Sequence, residues 1–121
     1  FYMALFIDKF LDQTLPGLQK ALDLTWKRNE AIASNIANAE TPNYHTKDVD
    51  FTRELEGAMT GSQPHPVEAQ GLQAKTDGNN VNLEREMRLL SENALRFQIA
   101  SNLMKSELRE VRLAIQDGKS G

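Results

Sequence analysis

Residues 83–115 of this 121-residue chain read LEREMRLLSENALRFQIASNLMKSELREVRLAI. Within this stretch, apolar and small residues recur at alternating steps of three and four, which keeps them on one side of an α-helix. These positions are Leu83, Met87, Leu90, Ala94, Phe97, Ser101, Met104, Leu108, Val111 and Ile115. The spacing predicts one helix of about 50 Å at roughly 1.5 Å per residue. Such a rod suits assembly with other chains better than enclosure of a substrate.

A shorter ladder with the same alternation lies near the N-terminus. Its positions are Leu15, Leu18, Leu22, Thr25, Asn29, Ile32 and Ile36. Helices at opposite ends of a chain can pair with each other. The predicted fold class is therefore mainly α, with two long terminal helices forming an antiparallel coiled-coil-like hairpin. An irregular loop with possible short β segments joins them.

The organisation predicted from these patterns is a single domain with four segments. Residues 1–14 form a short amphipathic N-terminal segment, and residues 15–40 form the N-terminal helix. Residues 41–80 form a connector, in which prolines and glycines interrupt any sustained period. Residues 81–117 form the C-terminal helix.

Local signals mark the boundaries of the two helices. Pro42 disfavours helical geometry at Thr41, so the first helix is expected to end near residue 40. The sequence Asp-Gly-Asn-Asn at 77–80 predicts a turn. Asn82 follows as an N-cap, and the carboxylates of Glu84 and Glu86 favour the first helical turn.

The helices carry more apolar surface than one hairpin covers. Leu95, Ile99 and Leu103 step by four on the face opposite Leu90 and Leu108. The first helix also carries a second face of mostly small residues: Leu24, Ala31, Ser34 and Asn38. We therefore expect more than one neighbour for each helix. The alternative is that the second stripe is covered by the chain's own N-terminal segment.

Composition limits the classes of function. The net charge of −3 and the pI near 5.4, without a basic stripe, argue against nucleic-acid binding. The chain has no cysteine for disulfides or thiol chemistry, and no apolar run long enough for a transmembrane segment. Asp8 and Asp12 interrupt the apolar N-terminal residues, so a cleaved signal peptide is not expected.

The sequence offers no catalytic constellation. The two histidines, His45 and His65, both lie in the connector, and a metal site formed by His45, Asp48 and Asp50 would lack a recognised ligand pattern. No phosphate-binding loop or nucleophile elbow is present. Charges such as those of Glu84, Glu86 and Arg85 are interpreted as exposed helix charges. We expect no enzymatic activity, no cofactor and no metal.

One motif at the end of the first helix is more specific than the heptads. Residues 33–44 read ASNIANAETPNY and residues 48–51 read DVDF. This run resembles the N-terminal signature of the bacterial flagellar axial proteins, the family of rod and hook subunits. Asn43 stands where that family usually has glycine; asparagine tolerates left-handed backbone geometry better than most residues.

The second half of the chain resembles the proximal rod members of that family. The similarity rests on DGNNV at 77–81, on Glu84 and Glu86, and on ENALRFQ at 92–98. The Gln-Arg-x-Tyr-Glu-x-Asn ending typical of the other rod and hook members is absent.

The resemblance implies a structural subunit of the flagellar basal-body rod that polymerises through its terminal helices into the proximal part of the torque-transmitting drive shaft. The implied partners are copies of itself, other rod proteins, inner-membrane ring or adaptor components at the rod base, and the flagellar type III export apparatus. The implied location is the periplasmic rod of the basal body, reached from the cytoplasm without signal cleavage.

Subunit contacts are predicted on both ladders and on the signature. The residues are Leu22, Asn29, Ile32, Asn35, Ile36, Asn38, Thr41, Pro42, Tyr44, Phe51, Leu90, Ala94, Leu95, Phe97, Ile99, Leu103, Met104 and Leu108. Heptads alone also fit a coiled-coil adaptor or secretion chaperone that forms a closed oligomer. The signature at 33–44 is the feature that such a coiled coil would not need.

Overall fold

The computed structural model describes residues 2–9, 12, 14–61 and 65–120. Its helices are α1 (Tyr2–Lys9), α2 (Leu15–Ala37), α3 (Phe51–Met59) and α4 (Leu83–Ser120). Two short strands, β1 (Lys47–Asp48) and β2 (Val67–Glu68), pair antiparallel in the connector that joins the long helices. The predicted mainly α hairpin with a small β element is confirmed.

Helices α2 and α4 run antiparallel, and two cross-helix hydrogen bonds fix their register. The amide of Asn35 donates to Glu86, and the amide of Asn93 donates to the carbonyl of Thr25. Since α2 has 23 residues and α4 has 38, α4 continues for about 20 Å beyond the start of α2, at roughly 1.5 Å per residue. Helix α1 also contacts α4.

On α2 all seven predicted ladder positions are buried or half-buried, but on α4 the inner side differs in part from the predicted ladder. On α4 the buried positions are Glu86, Asn93 and Ala100. The ladder positions Leu83, Met87, Phe97, Leu108 and Ile115 are largely exposed. The prediction placed the most apolar side of α4 inward. Polar side chains that hydrogen-bond across the helices occupy the inner side instead, and a hydrophobic pattern cannot detect them.

The second face of α2 is covered by the connector. Leu24 and Ala31 are buried against Val49, with Phe51 and Leu55 packed beside them. This is the small-residue face for which a second neighbour was expected. The neighbour is the chain's own segment from β1 to α3.

Helix α3 was not anticipated in the connector. Asp50 caps it, its carboxylate accepting from the Arg53 amide at 3.2 Å. At its other end Lys20 of α2 donates to the Ala58 carbonyl at 2.6 Å, where a cation also offsets the helix dipole. The capping signal was present in the sequence, but Gly57 and the short length obscured the helical period.

Two predicted local features agree with the structure. Asn43 adopts the left-handed conformation, with φ of 61°, which explains how asparagine can occupy the position where glycine is usual. Asn82 caps α4 by accepting from the Arg85 amide at 3.1 Å. The turn at 77–80 docks on the turn at 41–43, since the backbone N–H of Asn43 donates to the backbone carbonyl of Asp77 at 2.9 Å.

Gly78 is the residue at which these two turns touch, and it cannot carry a side chain without distortion. Its φ is +84°, and an added Cβ would collide with the side-chain oxygen of Asn43. We expect Gly78→Ala to lower the free energy of unfolding by about 1–3 kcal/mol, measured by urea denaturation. Gly71→Ala is the matched control: φ is also positive there, but no atom lies near the added Cβ. Equal destabilisation by both variants would show that docking of the turns contributes nothing.

Candidate assembly surface and the junction that positions it

Asn35 lies at the centre of a buried polar junction between α2, the connector and α4. Its amide group donates to the Lys47 carbonyl at 2.8 Å and to a Glu86 carboxylate oxygen at 3.0 Å. Its side-chain oxygen accepts from the Tyr44 hydroxyl and from the Lys47 amide, each at 2.9 Å. Both donors and both acceptor positions are thus used, so one side chain ties three parts of the fold together.

Glu86 is fully buried, and its carboxylate is neutralised within the chain. Arg85 donates to Glu86 at 2.8 Å and, through its other terminal nitrogen, to Asp48 of β1 at 3.0 Å. The interpretation of Glu86 and Arg85 as exposed helix charges was wrong. Glu86 directly precedes the ladder position Met87, and its charge alone does not reveal that Asn35 of α2 and the neighbouring Arg85 donate to it in the fold.

Asn79 and Asn80 dock the connector onto the end of α2. The side-chain amide of Asn79 donates to the backbone carbonyls of Asn38 at 2.9 Å and Thr41 at 2.8 Å, both of which lie just beyond the last residue of α2. The Asn80 side-chain oxygen accepts from the amide and the hydroxyl of Thr46 at 2.6 and 2.8 Å. The two turns and the β ribbon therefore form one unit with the helix ends.

The junction leaves two apolar surfaces of α4 exposed. We call Leu95, Ile99 and Leu103 the outer stripe; their exposed fractions are 58%, 52% and 50%. The exposed ladder residues form the second surface, which adjoins α2. Contiguous apolar surface of this kind marks interaction sites in folded proteins.

A groove of about 260 Å³ separates α2 from the exposed ladder. Trp26, which is 61% exposed, and Phe97 line it together with Asn29 and Ala94. Large aromatic side chains that remain open to solvent are typical of the centres of protein interfaces. Trp26 did not enter the sequence predictions, because it lies outside both ladders.

The structure separates the predicted contact residues into three groups. Ile32 and Asn35 are buried within the chain. Half-buried positions are Leu22, Asn29, Ile36, Asn38, Tyr44, Phe51, Leu90 and Met104. Exposed positions are Thr41, Pro42, Ala94, Leu95, Phe97, Ile99, Leu103 and Leu108. Only the exposed group and the accessible parts of the half-buried group can contact another chain in this conformation. The side chain of Asn35 forms its hydrogen bonds within the chain.

Known proteins show the same sequence features. The family model described as "Flagella basal body rod protein" matches residues 18–45, the segment that contains Asn35 and Tyr44 of the junction. The flagellar basal body rod protein FlgB of Salmonella typhimurium is 32% identical over 133 residues, covering 89% of this chain and 96% of that protein. The chain belongs to the FlgB family of flagellar basal body rod proteins.

Further FlgB proteins are similar over the same extent. FlgB of Escherichia coli K12 is 31% identical, with 93% of this chain and 99% of that protein covered. FlgB of Aeromonas hydrophila is 32% identical, with 81% and 89% covered. The chain thus matches FlgB proteins along nearly their whole length, and the resemblance seen in residues 33–51 and 77–98 is confirmed.

The described residues of this FlgB-family chain were compared with the requirements of a metal site and of a membrane-spanning helix. They contain no group of three or more histidine, aspartate or glutamate side chains that could hold a metal ion. None of the helices in the described ranges is long and apolar enough to cross a membrane.

Proposed function

We propose that this FlgB-family chain is a structural subunit of the flagellar basal-body rod that polymerises through α2 and α4. The observation that carries the proposal is the exposed outer stripe on a helix whose inner side is already locked to α2. A helix with one polar, hydrogen-bonded face and a separate exposed apolar face can keep its own fold and still offer a surface for assembly.

The form of the assembly follows from the position of these surfaces. The outer stripe and the groove beside Trp26 lie on different sides of the α2–α4 pair, so contacts between unlike surfaces can repeat from subunit to subunit. Heterologous contacts repeated with a rotation and a rise build a helical tube. Many packed helices running along such a tube resist bending, because bending must distort close-packed cores.

The resemblance to proximal rod members extends the proposal to location and partners. The subunits would leave the cytoplasm through the flagellar type III export apparatus without signal cleavage. They would then assemble in the periplasm between inner-membrane ring components and the next rod proteins. There the rod transmits torque. The names of the relatives do not support a closed-oligomer adaptor or secretion chaperone, and they give no reason to expect an enzyme.

Deletion and complementation test this proposal. Cells that lack the gene for this chain should be non-motile, and their basal bodies should lack a complete rod in electron micrographs. The full chain supplied in trans should restore both. A deletion strain with intact rods would contradict the proposal.

A further inference from the structure

A polar pocket of about 260 Å³ lies where α3 begins, between the connector and the two long helices. Arg28 of α2 and Arg96 of α4 line it from opposite helices. Asp48, Asp50 and Phe51 line it from the connector. The pocket is separate from the Asn35 junction, although Asp48 borders both.

Arg28 is the unusual residue of this pocket. It is only 9% exposed, and its Nε has no hydrogen-bond partner. Among the described residues, no carboxylate oxygen lies within 4.0 Å of its guanidinium nitrogens. Burial, followed by repulsion from Arg96, lowers the pKa of Arg28. A buried cation without a partner costs folding free energy, which an anion would recover.

Arg96 brings a second guanidinium to the same cavity. Its central carbon lies 4.6 Å from the centre of the Phe51 ring, a cation–π contact that holds the side chain over the start of α3. Helix α3 has nine residues, and its N-terminus adds partial positive charge beside the two arginines.

The two carboxylates that border the pocket are already engaged. Asp48 accepts from Arg85 at 3.0 Å and from the Val49 amide at 3.1 Å. Asp50 accepts from the Arg53 amide at 3.2 Å as the cap of α3. In the part of the chain that the structure describes, Asp48 and Glu92 attract Arg28 only from beyond ion-pair distance. Neither Arg28 nor Arg96 has a carboxylate oxygen of a described residue within 4.0 Å. Two guanidiniums therefore face one cavity, an arrangement suited to a carboxylate.

We propose that the pocket between Arg28 and Arg96 binds a carboxylate side chain of a neighbouring rod subunit. The inference rests on the proposed function as a rod subunit. The pocket is continuous with the outer stripe, because Arg96 precedes Ile99 by three residues and Leu103 by seven on one face of α4. A neighbour that packs along the stripe therefore reaches the pocket. The chain carries 17 aspartate and glutamate residues against 14 lysine and arginine residues, so a second copy has carboxylates available for the pocket.

Arg96→Gln tests the pocket in cells, with Arg88→Gln as the matched control. Both arginines are exposed residues of α4, so each variant should melt within a few degrees of the parent chain. We expect Arg96→Gln to reduce incorporation into isolated basal bodies about tenfold or more, as loss of one member of a desolvated charge pair does. Arg88→Gln should incorporate normally. Normal incorporation of Arg96→Gln would overturn the proposal.

Two further measurements test whether the pocket binds a carboxylate or a free anion such as phosphate. In the purified full chain, sodium acetate should shift the Arg28 Nε–H resonance with a Kd above about 10 mM, while sodium chloride and the Arg96→Gln variant give no such shift. Absence of the acetate shift would overturn the proposal that the pocket binds a carboxylate. Saturation by sodium phosphate below about 1 mM would instead assign the pocket to a free anion.

The experiments separate the pocket proposal from the proposed function as a rod subunit. If the rod requires the chain but assembles normally with Arg96→Gln, only the pocket proposal falls. If rods form without the chain, the proposed function falls first.

Discussion

Replacement of Asn35 by leucine is expected to lower the free energy of unfolding by about 3–5 kcal/mol. Leucine has the same number and branching of side-chain heavy atoms as asparagine, but its methyl groups are bulkier and it removes the four hydrogen bonds to Lys47, Tyr44 and Glu86. The Lys47 amide and carbonyl would lose these partners, and buried Glu86 would lose its contact with α2. Each unsatisfied buried group costs about 1–3 kcal/mol, and charged groups cost more.

Urea denaturation followed by circular dichroism measures this effect. Asn102→Leu is the control, because Asn102 is an exposed asparagine of α4 and its replacement should change stability by no more than about 0.5 kcal/mol. A loss below about 1 kcal/mol for Asn35→Leu would mean that the junction contributes little to the register of the long helices.

The second large effect is expected on assembly and not on folding. Ile99→Asp places a carboxylate in the centre of the outer stripe, where the side chain is 52% exposed in the free chain. Its cost to the monomer should stay within about 0.5 kcal/mol, as for other surface substitutions. In a packed rod the same carboxylate would be buried without a partner, at a cost of several kcal/mol per subunit contact. We therefore expect almost no incorporation and a loss of motility.

Gln116→Glu is the matched control for that experiment. It adds the same charge to the same helix, 13 residues beyond Leu103, at an exposed position outside the stripe. Cells that carry it should assemble rods and swim, while cells with Ile99→Asp should not. Normal motility with Ile99→Asp would remove the outer stripe from the assembly surface.

The two long helices and their approximate ends could be predicted from sequence because their signals are local. The alternation of three and four, Pro42 and the Asn82 cap each act within a few residues. The left-handed residue at 43 could be anticipated because the family resemblance places Asn43 where glycine is usual.

The orientation of α4 and the burial of Glu86 could not be predicted in this way. Both depend on distant partners, since Asn35 lies 51 residues from Glu86 and Asp48 lies 37 residues from Arg85, and these pairs meet only after the chain has folded. A hydrophobic period selects the most apolar side of a helix as its inner side. In this chain, hydrogen-bonded polar side chains occupy much of the inner side, and the apolar residues that remain outside define the proposed assembly surface.

The most direct test of the account is whether the outer stripe becomes buried in the rod. The chain has no cysteine, so Ile99→Cys provides a single thiol whose reaction rate with a maleimide can be compared between the purified chain and isolated basal bodies. The account predicts rapid labelling of the free chain and protection of about tenfold or more in the rod, since the thiol would lie inside a packed interface. Equal labelling rates in the two states, with the variant incorporated into the rod, would contradict it.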